Sequence, residues 1–249
     1  MRLEGKVALI TGSTRGIGRT MAEMFAAEGA KVVLSGRSVD KGEKNVERIR
    51  AAGGEAMFLP IDVTDEDSVR AGVAAAVDAY GPITTLVNNA APTALVNVSF
   101  KPTHELTLDE WDAIVRGSVT SAFLMTKYTV PHLLEAGGGS IVNISSGASV
   151  FGVPGLGPYS AGKGGMNALT RVIAVEYGKQ GVRCNTIIVG RVVSYAADRG
   201  PDTTKELLRV GNPRDIGYAA MWLAADESEW ITGSEITADG GARFNASEI

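Results

Sequence analysis

The stretch Lys6-Val7-Ala8-Leu9-Ile10-Thr11-Gly12-Ser13-Thr14-Arg15-Gly16-Ile17-Gly18 decides the fold. Its first half is a short apolar run without polar alternation, the pattern of a strand buried on both faces of a parallel sheet. Its second half is a glycine-rich turn that runs straight into a helical pattern over Ile17–Glu28. Glycines at such a junction permit a tight turn and let backbone N–H groups approach a pyrophosphate at the helix N-terminus. The spacing is G-x-x-x-G-x-G rather than G-x-G-x-x-G, and such a turn can also exist without a ligand. Its place at the first β–α junction favours the phosphate-binding reading, with Gly12, Thr14, Arg15, Gly16, Ile17 and Gly18 around the cofactor.

The same alternation continues outward. Strand candidates are Lys6–Thr11, Lys31–Gly36, Ala56–Ile61, Thr85–Asn88, Ser140–Ser145, Arg183–Val189 and Glu235–Ala238. Helical patterns separate them over Ile17–Glu28, Asp40–Ala52, Glu66–Ala79, Leu108–Leu134, Tyr159–Gln180 and Arg214–Ala225. The expected fold is α/β: one doubly wound domain over residues 1–249, a parallel sheet of about seven strands with helices on both faces. Two segments, 91–105 and 191–210, leave the carboxyl ends of strands, where open α/β sheets place their ligand crevice. They are expected to be substrate loops.

Composition narrows the function classes. A net charge of −4 gives no general reason to bind nucleic acid or an anionic membrane. The single cysteine, Cys184, cannot form an internal disulfide, and Met1–Gly5 runs directly into a strand pattern without a signal-peptide core. With no apolar run near the length of a membrane span, a cytoplasmic location is expected. His104 and His132 lack Cys/His partners at metal-ligand spacing, so no metal site is expected.

The second strand ends Leu34-Ser35-Gly36-Arg37-Ser38, without the carboxylate that usually meets the adenosine ribose hydroxyls of NAD. A guanidinium at Arg37 suits a 2′-phosphate, and Arg15 could approach the same phosphate from the other side. NADP(H) is the expected cofactor and NAD(H) the runner-up; the alternative is that both arginines are solvated surface charges. Tyr159 and Lys163 lie four apart in a helical stretch, so they share a face. The ammonium is expected to pull the phenol towards the range useful for proton transfer. Ser146, just past an apolar strand, can hydrogen-bond a substrate carbonyl or hydroxyl.

From Lys6 to Gly241 the chain resembles the short-chain dehydrogenase/reductase (SDR) family, with motifs in the family's order. They are Thr11–Gly18, Asp62-Val63, Asn88-Asn89-Ala90, Ser146, Tyr159-Ser160-Ala161-Gly162-Lys163, Arg183-Cys184-Asn185 and Asp239-Gly240-Gly241. The resemblance implies a Rossmann-type oxidoreductase in which Ser146, Tyr159 and Lys163 are catalytic. It implies that Asp62 and Val63 hold the adenine, that Asn89 and Ala90 line the cofactor cleft, and that Val192 faces the carboxamide. Lys163 would also bind the nicotinamide ribose, and Tyr159 would transfer a proton as hydride passes. A homotetramer, or a homodimer, packed through the long helices is implied as well. Asn88 and Asp239 read better as strand-end anchors.

Three matches are imperfect. Ser118 stands where the family usually has an asparagine that holds a relay water, Ala91 replaces a glycine, and Val189-Gly190 replaces Pro-Gly. The stretch from Gly190 to Gly211 is short for a substrate lid. Gly157–Gly164 nearly spells a nucleotide P-loop, but Gly164 replaces its magnesium-binding hydroxyl residue. Ser118 keeps open an alternative, an inactive or weakly active cofactor-binding sensor or scaffold on this fold. Ala91, Ala94, Leu95, Val150, Phe151, Val153 and Leu156 near the crevice suggest a hydrophobic secondary alcohol or ketone, of steroid-like, cyclic or 3-oxoacyl type.

Overall fold

A computed structural model describes residues 1–193, 207 and 209–242 of the chain. Strands β1 (Val7–Ile10), β2 (Lys31–Gly36), β3 (Glu55–Pro60), β4 (Thr85–Asn88), β5 (Gly139–Ser146), β6 (Val182–Val189) and β7 (Glu235–Ala238) form one parallel sheet. Its order is β3-β2-β1-β4-β5-β6-β7, so this is the doubly wound α/β architecture that the alternation predicts. Every residue of β1 and β4 is buried, which explains the unbroken apolar run of β1 and the apolar Leu86-Val87 at the centre of β4.

The helices divide between the two faces. Helices α1 (Gly16–Ala27) and α2 (Val39–Ala51) cover one face together with a later helix, Pro213–Ala224, over a core that includes Phe25, Leu34, Val87, Ile144 and Ile216. On the other face lie α3 (Glu66–Tyr80), a helix ending at Glu135 and the long helix Gly157–Tyr177. Their core includes Val73, Leu86, Met125, Ile141 and Ile173. A side-chain cap from Asp65 to the Ser68 N–H fixes the start of α3.

The expected substrate segment 91–105 is partly regular, containing α4 (Thr93–Val98) and a 3₁₀ turn at Thr103–Glu105. The expected long helix over 108–134 is interrupted. A capping box starts α5 (Leu108–Val115), a π-helical turn occupies Arg116–Thr120, and α6 (Ser121–Glu135) follows. Helix α7 (Gly157–Tyr177) carries Pro158 in its first turn, and α8 is Pro213–Ala224. Most of the expected second substrate segment, 194–206 and 208, lies outside the described residues. No helix among the described residues is long and apolar enough to cross a membrane.

Because β1 pairs with β2 on one side and β4 on the other, the chain direction across the sheet reverses between β1 and β4. Crevices of doubly wound sheets open at the carboxyl ends of such a pair. Behind this opening a buried polar chain crosses the sheet. Asn88 Nδ2 donates to Asn143 Oδ1 at 2.8 Å, Asn143 Nδ2 to Thr170 Oγ1 at 2.8 Å, and the Thr170 and Thr186 hydroxyls meet at 2.7 Å. Asn88 is thus a strand-end anchor, as its sequence context suggests.

Candidate active site

The glycine turn sits on β1 with Gly12 at φ +64° and Gly16 at φ +56°, a region that side chains rarely adopt. A Cβ at Gly12 would lie 2.9 Å from the Ala90 Cα, and one at Gly18 would lie 2.5 Å from the Asn89 Nδ2. Side chains from three elements pin the turn. Ser13 Oγ accepts from the Ser35 N–H at 2.8 Å, and Asn45 of α2 donates to the Ser13 and Thr14 carbonyls. Asn89 Nδ2 donates to the Thr11 carbonyl at 2.9 Å. Asn89 therefore supports the turn from beneath. The N-terminus of α1 has no side-chain cap and no acidic residue in its first turn, so its N–H groups and dipole are available to an anionic ligand. These features fit the pyrophosphate of a dinucleotide.

At the carboxyl end of β2 Gly36 faces Thr14, whose Cγ2 would lie 2.9 Å from a Cβ at position 36. Arg37 is exposed beside it. Arg15 departs from expectation: its Nη2 donates to Thr93 Oγ1 at 3.2 Å, at the start of α4. It reaches towards α4, and joining Arg37 on one phosphate would require it to leave Thr93. Asp62 follows β3 and is half-buried, with Oδ1 accepting from the Thr64 N–H and hydroxyl at 2.9 and 2.7 Å. Val63 packs against the second core.

At the carboxyl end of β5, Ser146 lies by the phenol of Tyr159. Burial raises the Tyr159 phenol above its ordinary value, and a hydrogen bond with Ser146 acts in the opposite direction. Lys163 is 1% exposed, with Nζ 5.8 Å from the Tyr159 ring centroid. Its ammonium donates to the Ile144 carbonyl at 2.6 Å, and burial lowers it to about 8. The expectation that Lys163 holds the phenol down is not met in this state: burial of the phenol dominates, and the ammonium is turned to the backbone. Still, an acid–base phenol, a hydroxyl donor and a cation stand at one strand end. Such a set can hold a carbonyl or hydroxyl oxygen and exchange a proton with it.

The family description for enoyl-(acyl carrier protein) reductases matches residues 12–243. This chain belongs to the short-chain dehydrogenase/reductase family. A 2,5-dichloro-2,5-cyclohexadiene-1,4-diol dehydrogenase of Sphingobium indicum is 39% identical over 247 residues, covering 96% of this chain and 97% of the relative. A 7α-hydroxysteroid dehydrogenase of Clostridium sardiniense is 39% identical over 242 residues, covering 93% and 91%. The solved complex of a 7α-hydroxysteroid dehydrogenase with NADH and 7-oxoglycochenodeoxycholic acid superposes with a TM-score of 0.87 at 29% identity, covering 96% and 95%. The protein is accordingly an SDR oxidoreductase acting on alcohols or ketones, in a family that uses nicotinamide cofactors.

One of this SDR's departures from the family pattern proves to be packed against a neighbour, and a second adjoins a packed proline. Ser118 lies within the π turn, fully buried, with Oγ donating to the Ile114 carbonyl at 2.8 Å. It faces Gly162 of α7, where a Cβ would come within 2.6 Å of the Ser118 Cβ. Ala91 is followed by Pro92, whose Cβ would lie 2.8 Å from a Cβ at Gly117. The absent side chain at Gly117 thus makes room for the proline beside the cleft. Past β6, Gly190 abuts Asp239, while Val192 forms an isolated bridge with Gly211 and packs on the first core.

Of the residues expected to give the crevice an apolar lining, Leu95, Val150 and Phe151 are exposed; Phe100, which was not among them, is exposed as well. The Phe151 ring covers Gly147, the residue after Ser146, and the Phe100 ring lies against Gly155. The structure also brings in Arg116, whose Nε donates to the Thr64 carbonyl at 2.9 Å beside Asp62. Sequence reading missed it because a lone arginine on an exposed helical face carries no spacing signal. Asn45 was missed for a similar reason: it reads as one polar residue of an amphipathic helix. Among the described residues no cluster of His, Cys, Asp or Glu could hold a metal ion.

Proposed function

We propose that this SDR is an NADP(H)-dependent enzyme, one catalytic domain over residues 1–249, that interconverts a hydrophobic secondary alcohol and its ketone. The supporting observation is the pairing of Tyr159 with Ser146 beside buried Lys163, two strands from the uncapped N-terminus of α1. Strands in a sheet lie ~4.8 Å apart, so the two features are ~10 Å apart across the sheet. When bound, the nicotinamide supplies a hydride donor or acceptor.

The chain's own residues do the rest. Tyr159, whose raised value keeps it protonated at neutral pH, gives its proton to the carbonyl oxygen in reduction and recovers one in oxidation. Ser146 donates to the same oxygen and fixes its position. Once it leaves the Ile144 carbonyl, Lys163 would bring its charge to bear on the phenolate and would reach the cofactor ribose. The apolar walls of Leu95, Phe100, Val150 and Phe151 favour a cyclic, steroid-like or 3-oxoacyl substrate. That reading agrees with the cyclic diol and steroid named for its relatives. Phe123, Val172 and Val175, exposed on α6 and α7, support a homotetramer or homodimer packed through these helices.

The second reading, a cofactor-binding scaffold of weak activity, draws on Ser118: its hydroxyl is already committed to the Ile114 carbonyl. Turnover of a hydrophobic ketone with NADPH at an ordinary enzymatic rate, ~1 s⁻¹ or more, eliminates it. For the cofactor, dissociation constants of NADPH and NADH are compared at equal ionic strength in wild type and Arg37→Ala. NADPH should bind at least ~10-fold tighter to wild type, ~1.4 kcal/mol, and Arg37→Ala should erase the difference. NADH binding as tightly as NADPH to wild type removes the NADP(H) assignment and leaves the family untouched.

A further inference from the structure

The loop after β3 is organised around Asp62. Its carboxylate accepts both Thr64 hydrogen bonds, and its N–H donates to Ser68 Oγ at 3.0 Å. Two guanidiniums approach from outside the loop, Arg37 from the end of β2 and Arg116 from the π turn. Burial alone would raise the Asp62 carboxyl. The Thr64 hydrogen bonds and the charges of Arg37 and Arg116 more than offset this and leave it below its ordinary value. Arg116 is exposed, yet it is not a free surface charge: its Nε bonds the backbone of a loop 52 positions away in sequence.

Granted the reading above, in which this end of the crevice takes the adenosine, the two arginines have separable tasks. Adenine presents a 6-amino donor, which a carboxylate can accept; hypoxanthine presents an oxo group there, which a carboxylate repels. We propose that Arg116 is a positioning residue for adenine recognition: by gripping the Thr64 carbonyl it sets the loop so that Asp62 reads the base, while Arg37 reads the ribose phosphate. The π turn is thereby tied into the cofactor site at Arg116 and against the catalytic helix at Ser118.

The test is binding, with no turnover required. Fluorescence titrations give dissociation constants for NADPH, NADH and reduced nicotinamide hypoxanthine dinucleotide phosphate, in wild type, Arg116→Ala and Arg37→Ala. Wild type should prefer adenine over hypoxanthine by ~10-fold or more, the size of one hydrogen bond to a charged group. Arg116→Ala should shrink that ratio to ~3-fold or less and leave the NADPH/NADH ratio as in wild type. Arg37→Ala should do the reverse. An adenine/hypoxanthine ratio unchanged by Arg116→Ala, whatever happens to overall affinity, overturns the inference and leaves the cofactor reading standing. A wild type that binds both cofactors without distinguishing the bases overturns the roles of Asp62 and Arg116 together. A wild type that binds none of the three removes the cofactor reading and the inference with it.

Discussion

Gly162→Ala adds one methyl group at the point where α7 meets the π turn. In a helix interior, alanine is favoured over glycine by ~1 kcal/mol, so propensity alone predicts stabilisation. The packing opposes it. The new Cβ would lie 2.6 Å from the Ser118 Cβ and 3.1 Å from its Oγ. Ser118 is fully buried and bonded at 2.8 Å to the Ile114 carbonyl, so it cannot swing out of the way. Overpacking of this kind costs ~1–3 kcal/mol, and straining the serine bond adds ~1 kcal/mol. The expected net loss is ~1–3 kcal/mol, and a chain of this size loses ~2–4 °C of Tm for each. Because Gly162 lies between Tyr159 and Lys163, a sub-ångström displacement of α7 should also lower kcat by ~10-fold or more. Scanning calorimetry and steady-state kinetics read both effects. In the double variant with Ser118→Gly the methyl group has room, and a double-mutant cycle should return a favourable coupling of ~1–2 kcal/mol. Should Gly162→Ala instead raise Tm with kcat unchanged, the tight α7–π-turn contact is refuted.

Three further outcomes are expected. Tyr159→Phe should lower turnover by at least ~100-fold, the scale of general acid–base catalysis, while calorimetry shows NADPH binding within ~3-fold of wild type; near-normal turnover would remove Tyr159 from the chemistry. Gly36→Asp should weaken both cofactors, since its Cβ would lie 2.9 Å from Thr14 Cγ2, whereas adding Thr14→Ala should give tight NADH binding. If the single variant already binds NADH tightly, Thr14 is not the obstacle. Burial pushes the Cys184 thiol up from 9.0 to about 12, so above pH 9 the unfolded chain loses its thiol proton first and the native state is progressively destabilised. Lys163, lowered from 10.5 to about 8, contributes the opposite trend between those values, which hides the thiol effect in wild type. The stability of Cys184→Ala relative to wild type should therefore be flat below pH 9 and rise by ~1.4 kcal/mol per pH above it. A difference that stays flat to pH 10.5 in urea titrations contradicts that account.

The sheet was legible because the centre of a strand buried on both faces is mostly apolar: Val7–Ile10 reads as a strand at once, and Leu86-Val87 carries the same signal within β4. The interruption at Arg116–Thr120 was not legible, because a π turn adds one residue to a helical repeat without changing residue types. The motif residues Ser146, Tyr159 and Lys163 could be found by spacing, but the direction of the Lys163 ammonium could not. It depends on which carbonyl at the end of β5 lies within reach. The same holds for Arg15, whose bond to Thr93 exists only because α4 forms inside a segment that its prolines made look irregular. Side chains that act along the chain were visible; those that act across it were hidden until the fold brought their partners close.

The polar chain behind the crevice has a mechanical consequence. Apolar surfaces can slide over one another at little cost, but directional hydrogen bonds resist shear. Thr170 bonds Asn143 of β5 and Thr186 of β6, Lys163 Nζ bonds Ile144, and Ser145 Oγ donates to the Lys163 carbonyl. Helix α7 is thus riveted to the sheet along its middle, and a slide of one residue, ~1.5 Å, would break these bonds together. Tyr159 lies four residues, ~6 Å of helix, beyond the tie at Lys163. It moves as the tip of a short, stiff lever, so the room that substrate and product need must come from the segments opposite it rather than from the helix that carries it.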